Sequence, residues 1–130
     1  MRCEMHKDKT MILQSDGQSK RQMEEIIYLS GPMSGIPKFN FPAFYEAELW
    51  ITEHMMCSII NPARNVQGLS YDDYMNIDLY LMKLATTIVQ LPGWEKSKGA
   101  KREYKYAILR GMKIIEYQDM KRCAEAGVLD

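Results

Sequence analysis

The chain is poor in the residues that staple, coordinate or anchor a protein. It has three cysteines, Cys3, Cys57 and Cys123, an odd number at long spacing with no Cys-x-x-Cys. That pattern argues against a disulfide framework and for a reducing compartment. It has two histidines, His6 and His54, which share no metal-ligand spacing, so no metal site is expected. Net charge is absent too, because 17 Lys plus Arg balance 17 Asp plus Glu. Bulk attraction to nucleic acid is therefore not expected. The one basic cluster (Lys96, Lys98, Lys101, Arg102, Lys105) reads as a solvated helix face. No apolar run approaches the ~20 residues of a membrane span. Met11-Ile12-Leu13 is too short for a signal-peptide core. Repeats and low-complexity segments are missing as well, and a cytoplasmic protein is expected.

What remains is ordinary for one globular domain: 130 residues, 46% hydrophobic and 26% charged. The 11 methionines fall largely on core stripes and read as adaptable packing. Residues 1–24 are polar, of mixed charge and aperiodic, and are expected to form a flexible extension. Met23 stands just before the first strand and would suit an ancestral start. Residues 25–130 are expected to form a single domain.

Short apolar runs alternate with helical patterns along that domain. Glu25-Ile26-Ile27-Tyr28-Leu29-Ser30 reads as a strand stopped by Gly31-Pro32. Asn40 is placed to cap a helix with Pro42 in its first turn and an apolar stripe of Phe44, Ala47, Ile51 and Met55. Cys57-Ser58-Ile59-Ile60 is a second strand. Ser70 or Asp72 caps a second helix, running to about Leu84 on a stripe of Met75, Leu79 and Met82. A third strand covers about Thr86–Leu91. A third helix follows, with Ala100, Glu103, Ala107 and Gly111 on one stripe and Gly111 as its terminator. Lys113-Ile114-Ile115-Glu116-Tyr117 is a fourth strand, before a short helix or tail. This alternation predicts an α/β fold, a parallel sheet of four to five strands with helices on both faces. Ligands bind such sheets beyond the C-terminal strand ends. The loops 30–37 and 92–99 fall at such ends, and Glu103 lies on the packing side of its helix rather than the solvent side.

Four blocks resemble the DUF4406 family of phages and bacteria, over about residues 25–117. They are Ile27-Tyr28-Leu29-Ser30-Gly31-Pro32-Met33-Ser34-Gly35, Asn61-Pro62-Ala63, Asp73-Tyr74-Met75 with Asp78-Leu79, and Leu91-Pro92-Gly93-Trp94-Glu95-Lys96-Ser97 with Gly99-Ala100 and Glu103. That family is grouped with the nucleoside 2-deoxyribosyltransferases and the deoxynucleoside 5′-monophosphate N-glycosidases. The resemblance implies a three-layer Rossmann/flavodoxin-like fold and cleavage or exchange of an N-glycosidic bond. It implies Glu103 as nucleophile, Asp78 as general acid and Tyr28 as the aromatic partner at the end of strand one. It implies a phosphate- or substrate-binding loop of Ser30, Gly31, Pro32, Met33, Ser34 and Gly35, with Trp94, Ser97 and Gly99 from the second loop. A nucleoside or nucleotide ligand, no cofactor, and a homodimer or higher homo-oligomer also follow, in the host cytoplasm if the chain is phage-encoded.

The chemistry suits these residues. Breaking an N-glycosidic bond creates an oxocarbenium-like sugar, which one carboxylate traps while a protonated acid assists the leaving base. The N-terminus of the third helix is expected to favour ionised Glu103, and an apolar cleft to raise the pKa of Asp78. Main-chain N–H groups of the small-residue loop would cradle a phosphate, and Trp94 either stacks on a base or packs.

Two features depart from the transferases. The acidic residue they place shortly before the nucleophile has no clear match in Glu95-Lys96-Ser97-Lys98, and no C-terminal polar group from a neighbouring subunit is identifiable. A nucleotide-binding protein without turnover is therefore the rival reading. Phosphoribohydrolases of the cytokinin-activating type are a weaker one, because Pro92-Gly93-Trp94 stops short of their Pro-Gly-Gly-x-Gly-Thr signature. An assembly module is the remaining alternative.

Overall fold

The computed structural model describes residues 25–127. Four strands form one all-parallel sheet: β1 Glu25–Ser30, β2 Cys57–Ile60, β3 Thr87–Gln90 and β4 Lys113–Glu116. The order across the sheet is β2-β1-β3-β4. Four helices connect or follow the strands: α1 Phe41–His54, α2 Tyr71–Met82, α3 Lys98–Arg110 and α4 Tyr117–Glu125. The expected α/β architecture is thus present, with four strands among the described residues.

Successive residues of a strand point to opposite faces, and β1 has a core on each. Ile27 and Leu29 pack with Phe44, Ala47 and Ile51 of α1 and with Tyr117 and Met120 of α4. Tyr28 faces the other way, toward Met82 of α2 and Ala107 of α3. A strand buried on both sides reads as an unbroken apolar run, which is why β1 and β3 stood out in the sequence. The order places the switch point between β1 and β3, whose C-terminal ends open toward helices on opposite faces.

Most local signals act as expected. Ser70 caps α2 by accepting from the Asp73 N–H at 3.0 Å. Gly111 ends α3 with φ 70°. Three expectations need correction. Asn40 stands before α1 but makes no side-chain cap; its amide donates to the Pro32 carbonyl instead, at 2.9 Å. Tyr117 is not the end of β4 but the start of α4, where its buried ring meets Trp50 edge-on at 5.9 Å. Cys123 is disulfide-bonded, where the sequence pattern argued against a disulfide framework and for a reducing compartment. Spacing along a chain says nothing about approach in the fold, and an odd count still allows one pair. No described helix is long and apolar enough to cross a membrane. The expected extension at 1–24 lies outside the described residues.

Candidate active site

The site is assembled around Glu103, which is 5% exposed. Helix α3 carries it toward the sheet because its stripe-mates, Ala100 and Ala107, are too small to hold the helix away. Ser97 starts that helix by accepting from the Ala100 N–H at 3.1 Å. Strand β1 meets the carboxyl with two hydroxyls two residues apart, hence on one face. Tyr28 Oη donates to Oε2 at 2.8 Å, and Ser30 Oγ donates to Oε1 at 2.6 Å. Each oxygen therefore has its own donor. Helix α2 brings a second buried carboxyl, Asp78, against the first. Asp78 Oδ1 accepts from the side-chain amide of Asn65 at 3.0 Å.

Two carboxyls sharing a low-dielectric site do not both ionise readily. Burial first, and the Asp78 charge second, push Glu103 up to about 8. Burial likewise raises Asp78, with the Asn65 amide pulling the other way. The Tyr28 hydroxyl is driven well above its ordinary range by burial and then by Glu103, so it remains a donor. This overturns the expectation that the helix dipole keeps Glu103 ionised. The dipole acts within the first turn, whereas Glu103 is the sixth residue of α3, beyond that turn.

A cleft of about 350 Å³ opens over this pair at the C-terminal ends of the strands. That is large enough for a small organic molecule. Among the sequence-predicted residues, Glu103, Asp78, Gly31, Met33, Ser34, Ser97 and Gly99 line it. Tyr28 and Ser30 are fully buried and face Glu103 rather than the cleft, so the Ser30 hydroxyl is committed to the carboxyl. Pro32, Gly35 and Trp94 do not line the cleft. Trp94 packs on Tyr104 of α3, with ring centroids 4.7 Å apart. Two glycines prove to be packing devices. A Cβ on Gly31 would stand 2.9 Å from Leu91 Cβ, and one on Gly99 would stand 3.3 Å from the Met75 sulfur.

The cleft also contains residues that sequence reasoning passed over, chiefly Asn65, Phe39, Phe41 and Tyr71, and it contains Tyr74, which the family blocks include without a site role. Asn65 follows β2 by a few residues, so the strand-end rule that flagged the other two loops would have found it. The aromatics carried no such signal, because Phe41 reads as an ordinary first-turn residue and Phe39 as a loop residue. The basic cluster is exposed, as expected of a solvated face, and Lys98 and Arg102 lie over the Tyr71 ring at 5.3 and 5.9 Å. Among the described residues, no three His, Cys, Asp or Glu side chains converge to hold a metal ion.

Comparison with known proteins adds one identification. No curated protein and no solved structure matches the chain. The model of DUF4406, a domain of unknown function, matches residues 25–116, which include every residue of the carboxyl site, and the chain belongs to that family.

Proposed function

We propose that the protein cleaves or exchanges the N-glycosidic bond of a 2′-deoxynucleoside or its 5′-monophosphate. The observation that carries this reading is the buried Glu103 carboxyl, gripped by Tyr28 and Ser30 and faced by Asp78 at a cleft wall. The grouping of DUF4406 with the nucleoside 2-deoxyribosyltransferases and nucleotide N-glycosidases supports it by resemblance.

The reactive state is the pair carrying a single proton. With that proton on Asp78, Glu103 is a carboxylate whose two oxygens are oriented by hydroxyl donors. Asp78 then protonates a ring nitrogen of the base as the C1′–N bond breaks and its electron pair leaves with the base. A Glu103 oxygen closes on C1′ and forms a glycosyl ester. Water, or a second base, attacks C1′, its proton passes to Asp78, and the carboxylate is regenerated. Water makes the protein a hydrolase and a base makes it a transferase. The ends of the cleft-lining loops supply Ser34 and backbone N–H groups for the sugar or its phosphate. Assembly into a homo-oligomer and a cytoplasmic setting (the host's, for a phage protein) belong to the same reading.

A rival reading, a nucleotide-binding protein without turnover, is favoured by one fact. At rest Glu103 is pushed toward its protonated, non-nucleophilic form. Chromatography of the protein incubated with deoxynucleosides and their 5′-monophosphates separates the two. Release of free base, lost by a factor of about 10³ or more in Glu103→Ala and falling above pH about 8, is the expected result. A folded wild type that binds a nucleotide and releases no base establishes the rival.

A further inference from the structure

Between β1 and α1 the chain makes a turn that L-residues resist. Lys38, Phe39 and Asn40 have φ of 57°, 54° and 61°. In that left-handed region Cβ crowds the neighbouring carbonyl, and only glycine enters it freely. Three hydrogen bonds hold the turn: Asn40 Nδ2 to the Pro32 carbonyl at 2.9 Å, the Phe39 N–H to the Ile36 carbonyl at 2.8 Å, and the Phe41 N–H to the Lys38 carbonyl.

The result of this geometry is the placement of one ring. Phe39 is 58% exposed, yet it forms part of the cleft wall. It is also braced by neighbouring rings. Its ring lies 5.9 Å from Phe41, which meets Tyr45 edge-on at 6.4 Å. Tyr45 is fixed in turn by its hydroxyl on the Ala63 carbonyl at 3.3 Å and by the Arg64 guanidinium 4.9 Å over its ring. A core phenylalanine would be covered. A merely solvent-exposed one would need neither a left-handed turn nor a row of aromatics beside it. Strain maintained at the rim of a cleft is where a ligand contact is to be sought.

We infer that Phe39 determines ligand choice: its ring is the platform on which the planar heterocycle of the ligand stacks. Aromatic faces hold bases with little regard to their hydrogen-bonding edges, so Phe39 selects a flat heterocycle over a bare sugar. The inference rests on the glycosidic reading for the expectation of a planar base, and uses none of its chemistry.

Phe39→Gly tests it, because glycine suits φ 54° and removes the ring without straining the turn. The full-length chain is titrated calorimetrically with adenine, hypoxanthine, cytosine and thymine, and with 2-deoxyribose as the sugar probe. At least one base is expected to bind the wild type. Phe39→Gly should weaken it by about tenfold or more, and Phe39→Trp should stay within about threefold. The response to 2-deoxyribose should not change, and the melting temperature of Phe39→Gly should hold or rise. Unchanged base affinity in Phe39→Gly overturns the inference. So does a lowered melting temperature, which marks a structural ring, and so does a wild type that binds no base. The two readings fail separately. Base binding that needs Phe39, without base release, keeps this inference and removes the glycosidic one. Base release indifferent to Phe39→Gly does the reverse.

Discussion

Glu103 is a carboxyl whose ionisation the fold opposes, and this has a consequence for stability apart from any function. In the unfolded chain it titrates near 4.5, and in the fold near 8. Between those values the folded state keeps a proton that the unfolded state has released, so stability falls as pH rises. The contribution is fully present below about 4.5 and is lost as pH passes through about 8. Asp78 shifts in the same direction. Glu103→Gln cannot ionise and keeps an acceptor for the hydroxyls of β1. Thermal melts followed by circular dichroism should therefore place this variant level with the wild type at pH 4 and above it at pH 8. A variant that melts lower than the wild type at pH 8 would mean that the Tyr28 and Ser30 hydroxyls stabilise the carboxylate more than burial disfavours it. At this scale the sequence disclosed that Glu103 lies on a packing face, because helical spacing fixes which residues share a stripe. Its proton affinity was not legible, since that depends on Asp78, 25 positions earlier in the chain, and on how deeply both are buried.

At the scale of elements, the contact between β1 and β3 sets the site. Their C-terminal ends approach so closely that Gly31 has no room for a side chain beside Leu91. The Leu91 N–H donates to the Ser30 carbonyl at 2.7 Å just beside that contact. Gly31→Ala must part the strands or displace Leu91, which is buried and held between them. The expected loss is about 1–3 kcal/mol, as for other overpacked interiors, measured by urea unfolding. Because Ser30 adjoins the clash, base release should fall further than stability alone accounts for. Helix and strand boundaries were largely readable, since caps and terminators act through neighbours in sequence: Ser70 and Gly111 behave as local rules require. Asn40 did not, because its left-handed backbone (φ 61°) departs from the extended conformation of a cap residue, and its amide N–H is turned to the Pro32 carbonyl.

At the scale of the molecule, several large apolar side chains remain in solvent on the α2 and α3 side. Tyr80 is 61% exposed, Leu84 53% and Leu109 84%. Such residues suit the homo-oligomer that the functional reading expects. Light scattering coupled to size exclusion should give at least a dimer, and Leu84→Asp with Leu109→Asp should shift it toward monomer while leaving the far-ultraviolet spectrum intact. A monodisperse wild-type monomer at high concentration would remove that expectation.

The sequence by itself determined the alternation of strands and helices, the parallel sheet with helices on both faces that it implies, and the placement of Glu103 on an inner stripe. Each follows from periodicity or from a residue's immediate neighbours, which are properties of the chain order. Only the tertiary structure decided that Ser30 serves Glu103 rather than a ligand, that Trp94 lies off the cleft wall and that Phe39 lies on it. Those outcomes depend on which strand ends and loops meet beyond the sheet. Residues 73 positions apart, as Ser30 and Glu103 are, carry no mutual signal until the fold closes the distance to a hydrogen bond.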